Sequence, residues 1–334
     1  MTQKQPLLQV EHLKVYYPVK TGVISHVTGY VHAVDDVSFS IDAGTTLGLV
    51  GESGCGKSTI GRQIVRLETP TSGSIRYDGL ELTKAKPRQL SAVRTQLQMV
   101  FQDSYSSLNP QKHVFQILSD PMVYHGLVSR GRAEEEVDRL LDLVGMPKTA
   151  KNRYPHEFSG GQRQRIAIAK ALSLRPRLIV CDEPVSALDV SIQAQILNLF
   201  RQLQQELGLT YLFIGHGLGA VNYVSDRIAV MYLGQIVEIA EAKELFRNPV
   251  HPYTRALCDA VPVPDPTARD AHGITLSGEA GSHIQPAGGC RFRPRCPFAC
   301  ENCDHYTGVL QPITPGSTHL SACQMGEKEG YNIG

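Results

Sequence analysis

The sequence predicts an α/β fold, a mainly parallel sheet covered by helices. Three observations carry that expectation. Strand-like and helix-like segments alternate between residues 177 and 239, the pattern of a sheet whose crossovers are helices. A short apolar strand at Thr46–Val50 runs directly into a glycine-rich loop and then a helical stretch over 58–68. Residues 8–16 and 31–41 alternate apolar with polar side chains, as half-exposed strands do.

The remaining elements follow in order. Residues 73–82 read as a strand bent at an Asp78-Gly79 turn, and Leu97–Phe101 as another strand. From about Leu108 to Tyr154 the pattern turns helical. Ala133–Val144 sets Val137, Leu140, Leu141 and Val144 on one face behind an acidic first turn. Then come a strand at 177–181, a helix at 191–207, a strand at 210–214 and a helix at 217–224. Strands at 227–232 and 235–239 complete the series. Residues 261–290 are rich in Pro, Gly, Asp and Ser, which reads as a linker or irregular extension leading to a group of cysteines. No internal repeat is evident.

Composition limits what such a chain does. Of 334 residues, 42% are apolar, enough for one large or two smaller domains. The formal net charge of +1 gives no overall basicity to recruit nucleic acid. The apolar runs fall far short of the ~20 residues that cross a bilayer, and the first residues lack the apolar segment of a signal peptide. The expectation is a cytoplasmic protein that reaches a membrane only through a partner. Of eight cysteines, Cys55, Cys181 and Cys258 are scattered, whereas Cys290, Cys296, Cys300, Cys303 and Cys323 crowd the C-terminal end. In a cytosolic chain such crowding points to metal more than to disulfides.

Gly51-Glu52-Ser53-Gly54-Cys55-Gly56-Lys57-Ser58, followed by Thr59, fits the P-loop pattern in its required strand–loop–helix context. Glycines let backbone N–H groups surround phosphates, and the helix N-terminus adds positive potential. Lys57 would neutralise the β- and γ-phosphates, and the Ser58 hydroxyl would ligate Mg²⁺. Further on, the buried strand Leu178–Cys181 ends in Asp182 and Glu183. One carboxylate there can hold Mg²⁺, and its neighbour can accept a proton from an attacking water.

Ser159-Gly160-Gly161-Gln162 opens a helix, with Ser159 placed as its N-cap. With this segment the chain resembles the ABC ATPase family over nearly all of residues 8–255. The resemblance implies a P-loop NTPase fold with an antiparallel β subdomain and a helical subdomain at about 105–165. On the matching positions Tyr17 would stack on adenine, and Gln102 would link Mg²⁺ and the attacking water to a membrane partner. Glu183 would polarise that water, and Asp182 would support Mg²⁺. Ser186 and Asp189 fall in the D-loop, and His216 matches the switch histidine that contacts the γ-phosphate. Two subunits would pack head to tail, each signature (Ser159–Gln162) closing the partner's ATP site. One departure stands out: the family usually has Ser-His-Asp where this chain has Gly215-His216-Gly217, and glycines should loosen the backbone that aims His216.

Three further segments resemble the dipeptide/oligopeptide (and nickel) uptake ATPases, in their second-ATPase subgroup. They are the long stretch between Tyr17 and His32, Ser106–Pro110, and Asn248–Leu257 with its His251-Pro252-Tyr253 core. That resemblance implies a second homologous ATPase as heterodimer partner, two transmembrane permease subunits and an external solute-binding protein. It places the chain peripherally on the cytoplasmic face of the inner membrane, and it gives peptide as cargo. Nickel or another small solute, or a weakly hydrolysing partner role, are the alternatives. Residues 1–257 would form the nucleotide-binding domain and 258–334 a small irregular Cys-rich extension. The subgroup's pattern matches Cys290, Cys296, Cys303 and Cys323, which implies a [4Fe–4S] cluster, with zinc as the alternative. Cys300 is extra, and Arg291, Arg293 and Arg295 are expected to offset an anionic cluster.

Overall fold

Apolar alternation builds the N-terminal sheet. Leu8, Val10, Leu13 and Val15 are all buried along β1 (Leu8–Thr21), and Val34, Val37, Phe39 and Ile41 along β2 (His26–Ile41). The step from Val10 to Leu13 breaks strict alternation because the register shifts there, with His12 at φ 48°. The computed structural model describes residues 5–21, 26–261, 284, 286, 288–306 and 308–323. Most of the expected Pro- and Gly-rich linker lies outside them.

The chain continues with β3 (Thr46–Val50), α1 (Lys57–Ile64), β4 (Ser72–Tyr77), β5 (Leu80–Glu81), α2 (Pro87–Arg94) and β6 (Leu97–Val100). Next come α3 (Ser104–Ser107), α4 (Val114–Tyr124), α5 (Ala133–Leu143) and α6 (Gly160–Leu172). The second half holds β7 (Leu178–Asp182), α7 (Val190–Leu207), β8 (Thr210–Gly215), α8 (Leu218–Val224), β9 (Arg227–Tyr232) and β10 (Gln235–Glu241). Helices α9 (Ala242–Arg247) and α10 (Pro252–Asp259) and the short strands β11 (Gln311–Pro312) and β12 (Leu320–Ser321) finish it.

Two sheets result. An antiparallel one runs β2-β1-β4-β5; the larger runs β11-β12-β10-β9-β3-β8-β7-β6, parallel from β9 to β6. Every residue of β3 and β7 is buried, as expected where both faces of a parallel sheet are covered. In β8, Leu212 and Ile214 join the core shared with β1, β2 and α1, whereas Tyr211 and Phe213 join the core shared with α6, α7 and α8.

Several expectations change. Helix α1 stops at Ile64 rather than running to 68, and Arg66 lies at φ 58° just beyond it. Helix α2 was not foreseen; none of its residues is fully buried, and only Leu90 and Val93 pack against the core, so its apolar stripe is short. The C-terminal segment is not wholly irregular: β12 pairs with β10 and lengthens the main sheet.

Candidate active site

The loop after β3 is shaped by close backbone contacts. Gly51 has φ 153° and Gly56 φ 108°. A Cβ at Gly51 would lie 2.1 Å from the Met231 carbonyl oxygen, and one at Gly56 would lie 2.1 Å from that of Ala33. Only glycine fits either position. Ser53 and Gly54 form the exposed tip, while Cys55, Gly56 and Lys57 are buried. Lys57 Nζ donates to the carbonyls of Gly51 (2.7 Å) and Glu52 (2.8 Å), so its ammonium is held within the loop. Burial raises the Cys55 thiol above its ordinary range, with Lys57 opposing, which leaves it a poor nucleophile.

The two carboxylates at the end of β7 diverge. Asp182 is buried and accepts a hydrogen bond from Ser58 Oγ at 2.7 Å. Burial lifts its carboxyl above the usual range, the Ser58 bond opposes, and Glu183 adds to the rise. Glu183 adopts φ 48°, and its N–H donates to the Ile214 carbonyl at 3.0 Å. Gln102 Nε2 donates to Glu183 Oε2 at 3.1 Å, and His216 Nδ1 lies 3.5 Å from the same oxygen. Gln102, Glu183 and His216 thus meet at one point, beside the Ser58–Asp182 pair.

The glycines around His216 are not equivalent. Gly215 pairs with Val50 at the end of β8, and a Cβ there would meet Val221 Cγ2 at 2.7 Å, so packing demands a glycine. Gly217 has open space around it and caps α8. Ser186 Oγ donates to the Glu183 carbonyl at 3.0 Å. Asp189 caps α7, its carbonyl accepting from Ile192 and Gln193. Tyr17 is 40% exposed, and its hydroxyl donates to Glu68 at 2.6 Å. Partial burial and that carboxylate push the hydroxyl up to about 12, with Thr59 opposing.

The signature forms a separate corner. Ser159 Oγ accepts from Gln162 N at 3.4 Å, and Gln162 Oε1 accepts from Ser159 N at 3.1 Å, a reciprocal cap on α6. Gly160 approaches Leu188, just before α7, and Gly161 approaches Ile192 in the first turn of α7, not the Lys57 loop.

A family model described as ABC transporter matches residues 34–186, and one described as oligopeptide/dipeptide transporter, C-terminal region, matches residues 237–303. The oligopeptide transport ATP-binding protein OppF of Escherichia coli (strain K12) is 48% identical over 96% of this chain and 96% of its own. The chain belongs to the ABC transporter family, among the oligopeptide transport ATP-binding proteins. A second such protein, AppF of Bacillus subtilis (strain 168), is 46% identical over 96% of this chain and 98% of its own. Among solved structures, a dimeric ATP-binding cassette bound to ADP and Pi superposes with TM-score 0.62 at 26% identity, covering 70% of this chain and 98% of that one.

The C-terminal match spans residues whose purpose the sequence alone did not reveal. Glu238 of β10 is wholly buried and accepts from Val250 N (2.9 Å) and His251 N (2.8 Å), with His319 Nε2 at 2.6 Å. His251 Nδ1 accepts from Tyr253 N at 3.1 Å and caps α10, with Pro252 at the first helical position. Burial holds His251 down to about 4, which keeps that nitrogen an acceptor. The Tyr253 hydroxyl accepts from Glu52 N at 2.9 Å. The His-Pro-Tyr stretch is therefore a brace under the P-loop.

The arginines beyond it are already paired with protein carboxylates. Arg291 binds Asp35 and the Leu233 carbonyl, and Arg293 pairs with Asp304 at 2.8 Å. Arg295 makes two bonds to Glu52, at 2.9 and 3.0 Å. These contacts replace the expected balancing of a cluster's charge. The only signal in the sequence was the alternate spacing of three arginines.

The cysteine expectation is not met as geometry. Cys290 N donates to the Cys303 carbonyl at 2.8 Å, and the Cys300 and Cys303 sulfurs are 3.8 Å apart. Burial raises the Cys290 and Cys296 thiols, and neighbouring cysteines add to both rises. Even so, among the described residues no three His, Cys, Asp or Glu side chains are grouped so as to hold a metal ion. Cys290, Cys296, Cys303 and Cys323 do not form a ready metal cage. Among the described residues no helix is long and apolar enough to cross a membrane.

Proposed function

We propose that this chain binds and hydrolyses ATP to energise import of di- and oligopeptides through an ABC transporter. One observation carries the hydrolytic part: Gln102, Glu183 and His216 converge on a single carboxylate oxygen beside the Ser58–Asp182 pair. Glu183 receives the proton of the attacking water, Gln102 orients it, and His216 faces the γ-phosphate. Lys57 and backbone N–H groups within Ser53–Thr59 bind the phosphates, and Tyr17 stacks on adenine. The buried Asp182 carboxylate and the Ser58 hydroxyl are hard oxygen donors that suit Mg²⁺, with Gln102 nearby. That ion would neutralise charge developing on the phosphates.

Peptide as cargo is supported by the relatives, which are named for oligopeptide transport. Ser159–Gln162, Ser186 and Asp189 face a second homologous ATPase. A cleft of about 340 Å³ between the sheet edge and α6, lined by Leu67, Met99, Phe101, Lys170 and Leu174, suits a permease segment, and Phe101 in its wall immediately precedes Gln102 in the chain. Two permease subunits and an external binding protein complete the importer, with this chain on the cytoplasmic face. Residues 1–257 act as the nucleotide-binding domain and 258–334 as its extension. The [4Fe–4S] or zinc reading of Cys290, Cys296, Cys303 and Cys323 rests on resemblance, and metal analysis after anaerobic purification decides it.

The test is Glu183→Gln in the assembled transporter. Phosphate release should fall about 10²- to 10⁴-fold while ATP binding persists. Unchanged turnover would remove Glu183 as the base.

A further inference from the structure

The P-loop of this chain carries its own problem. Glu52 puts a carboxylate next to Gly51, in a loop that receives a polyanion. Unneutralised, that charge repels the phosphates it should help seat. The structure supplies a counter-charge from far along the chain. Arg295 Nη1 and Nη2 bond to the two Glu52 carboxylate oxygens at 2.9 and 3.0 Å, the side chains being 8% and 32% exposed. This fork-to-fork pairing fixes orientation as well as charge.

The guanidinium is itself held firmly. It lies 5.9 Å from the Tyr232 ring centroid, with the Tyr232 hydroxyl 3.5 Å from Nη1. Phe292, three residues earlier and 1% exposed, packs edge-on against Tyr232 at 5.2 Å and beside Tyr253 at 5.5 Å. Tyr253 meanwhile takes the Glu52 N–H. Glu52 is therefore gripped at its backbone and at its side chain by two separate parts of the C-terminal region.

We propose that Arg295 is a positioning residue of the nucleotide site: by neutralising and holding Glu52 it sets the affinity of the P-loop for ATP. The cysteine-bearing segment thereby becomes part of the nucleotide site although it touches no phosphate-binding atom. This rests on the ATP-binding reading given above.

The experiment measures Mg-ATP binding to the full chain by equilibrium dialysis, with thermal melts to check folding. Arg295→Gln should weaken binding on the order of tenfold. The double variant Glu52→Gln/Arg295→Gln should recover most of that loss, because the repelling carboxylate is gone. Arg293→Gln removes an equal charge two residues away and should bind as wild type. Arg295→Lys keeps the charge without the fork and should fall in between, which tests the idea even if Arg295→Gln melts early. In the assembled complex the KM for ATP should rise while kcat at saturation holds within about twofold. Arg295→Gln binding as wild type does, or a folded double variant as weak as the single, would overturn the proposal. Failure of the wild-type chain to bind Mg-ATP would overturn the ATP reading itself.

Discussion

Replacing Tyr253 with Phe removes one oxygen from a side chain with no exposed surface. The ring stays packed, 4.8 Å from Tyr232 and 5.5 Å from Phe292, so no cavity term enters. What is lost is the acceptor for Glu52 N at 2.9 Å. A peptide N–H deprived of its partner costs about 1–3 kcal/mol, less where water reaches it. Glu52 is only partly buried, so the lower half of that range applies, roughly 1–2 kcal/mol. The lost bond holds the phosphate loop rather than the core. The cost should therefore fall mainly on ATP, as a KM raised roughly 5- to 30-fold with kcat nearly unchanged. Titrating ATP against phosphate release in the assembled complex measures it, and a thermal melt catches any share taken by global stability. If KM and the melt both match wild type, Tyr253 is not a brace for the P-loop and the account of the His-Pro-Tyr stretch fails.

Two other outcomes follow from single contacts. Gly56→Ala must place a Cβ 2.1 Å from the Ala33 carbonyl at φ 108°. Mg-ATP affinity should drop more than about tenfold, and retained affinity would show that the loop is softer than its contacts imply. His251, held down to about 4 from 6.5 by burial, binds fewer protons folded than unfolded. Its contribution to stability is present above pH 6.5 and lost as pH falls toward about 4, roughly 3 kcal/mol at most. Urea unfolding at pH 5 and pH 7 should show that loss, and His251→Asn, which can still cap α10, should shrink it. An equal pH difference in both chains would contradict the burial argument.

How far the sequence could be read depended on the range of the interaction. Thr46–Val50 and Arg227–Tyr232 lie where the apolar pattern places them, because runs buried on both faces leave a local signature. The Asp78-Gly79 turn is likewise local: both residues adopt positive φ, at 48° and 79°. The convergence of Gln102, Glu183 and His216 is not local, and resemblance alone anticipated it. Helix α2 escaped notice because it buries no residue fully. The Arg295–Glu52 and Tyr253–Glu52 contacts join residues more than 200 positions apart. No periodicity encodes such pairs.

The placement of β3 at the centre of its sheet has a consequence for biosynthesis. Its neighbours are β8 and β9, which end at Gly215 and Tyr232. At about 5–20 residues per second, the ribosome needs roughly 10–40 seconds after Val50 to deliver them. Throughout that interval an apolar strand destined for complete burial has neither edge paired, and such non-local pairing is slow to form. Nascent chains stalled before Tyr232 should accordingly be aggregation-prone and held by chaperones, whereas those released after it can close the sheet.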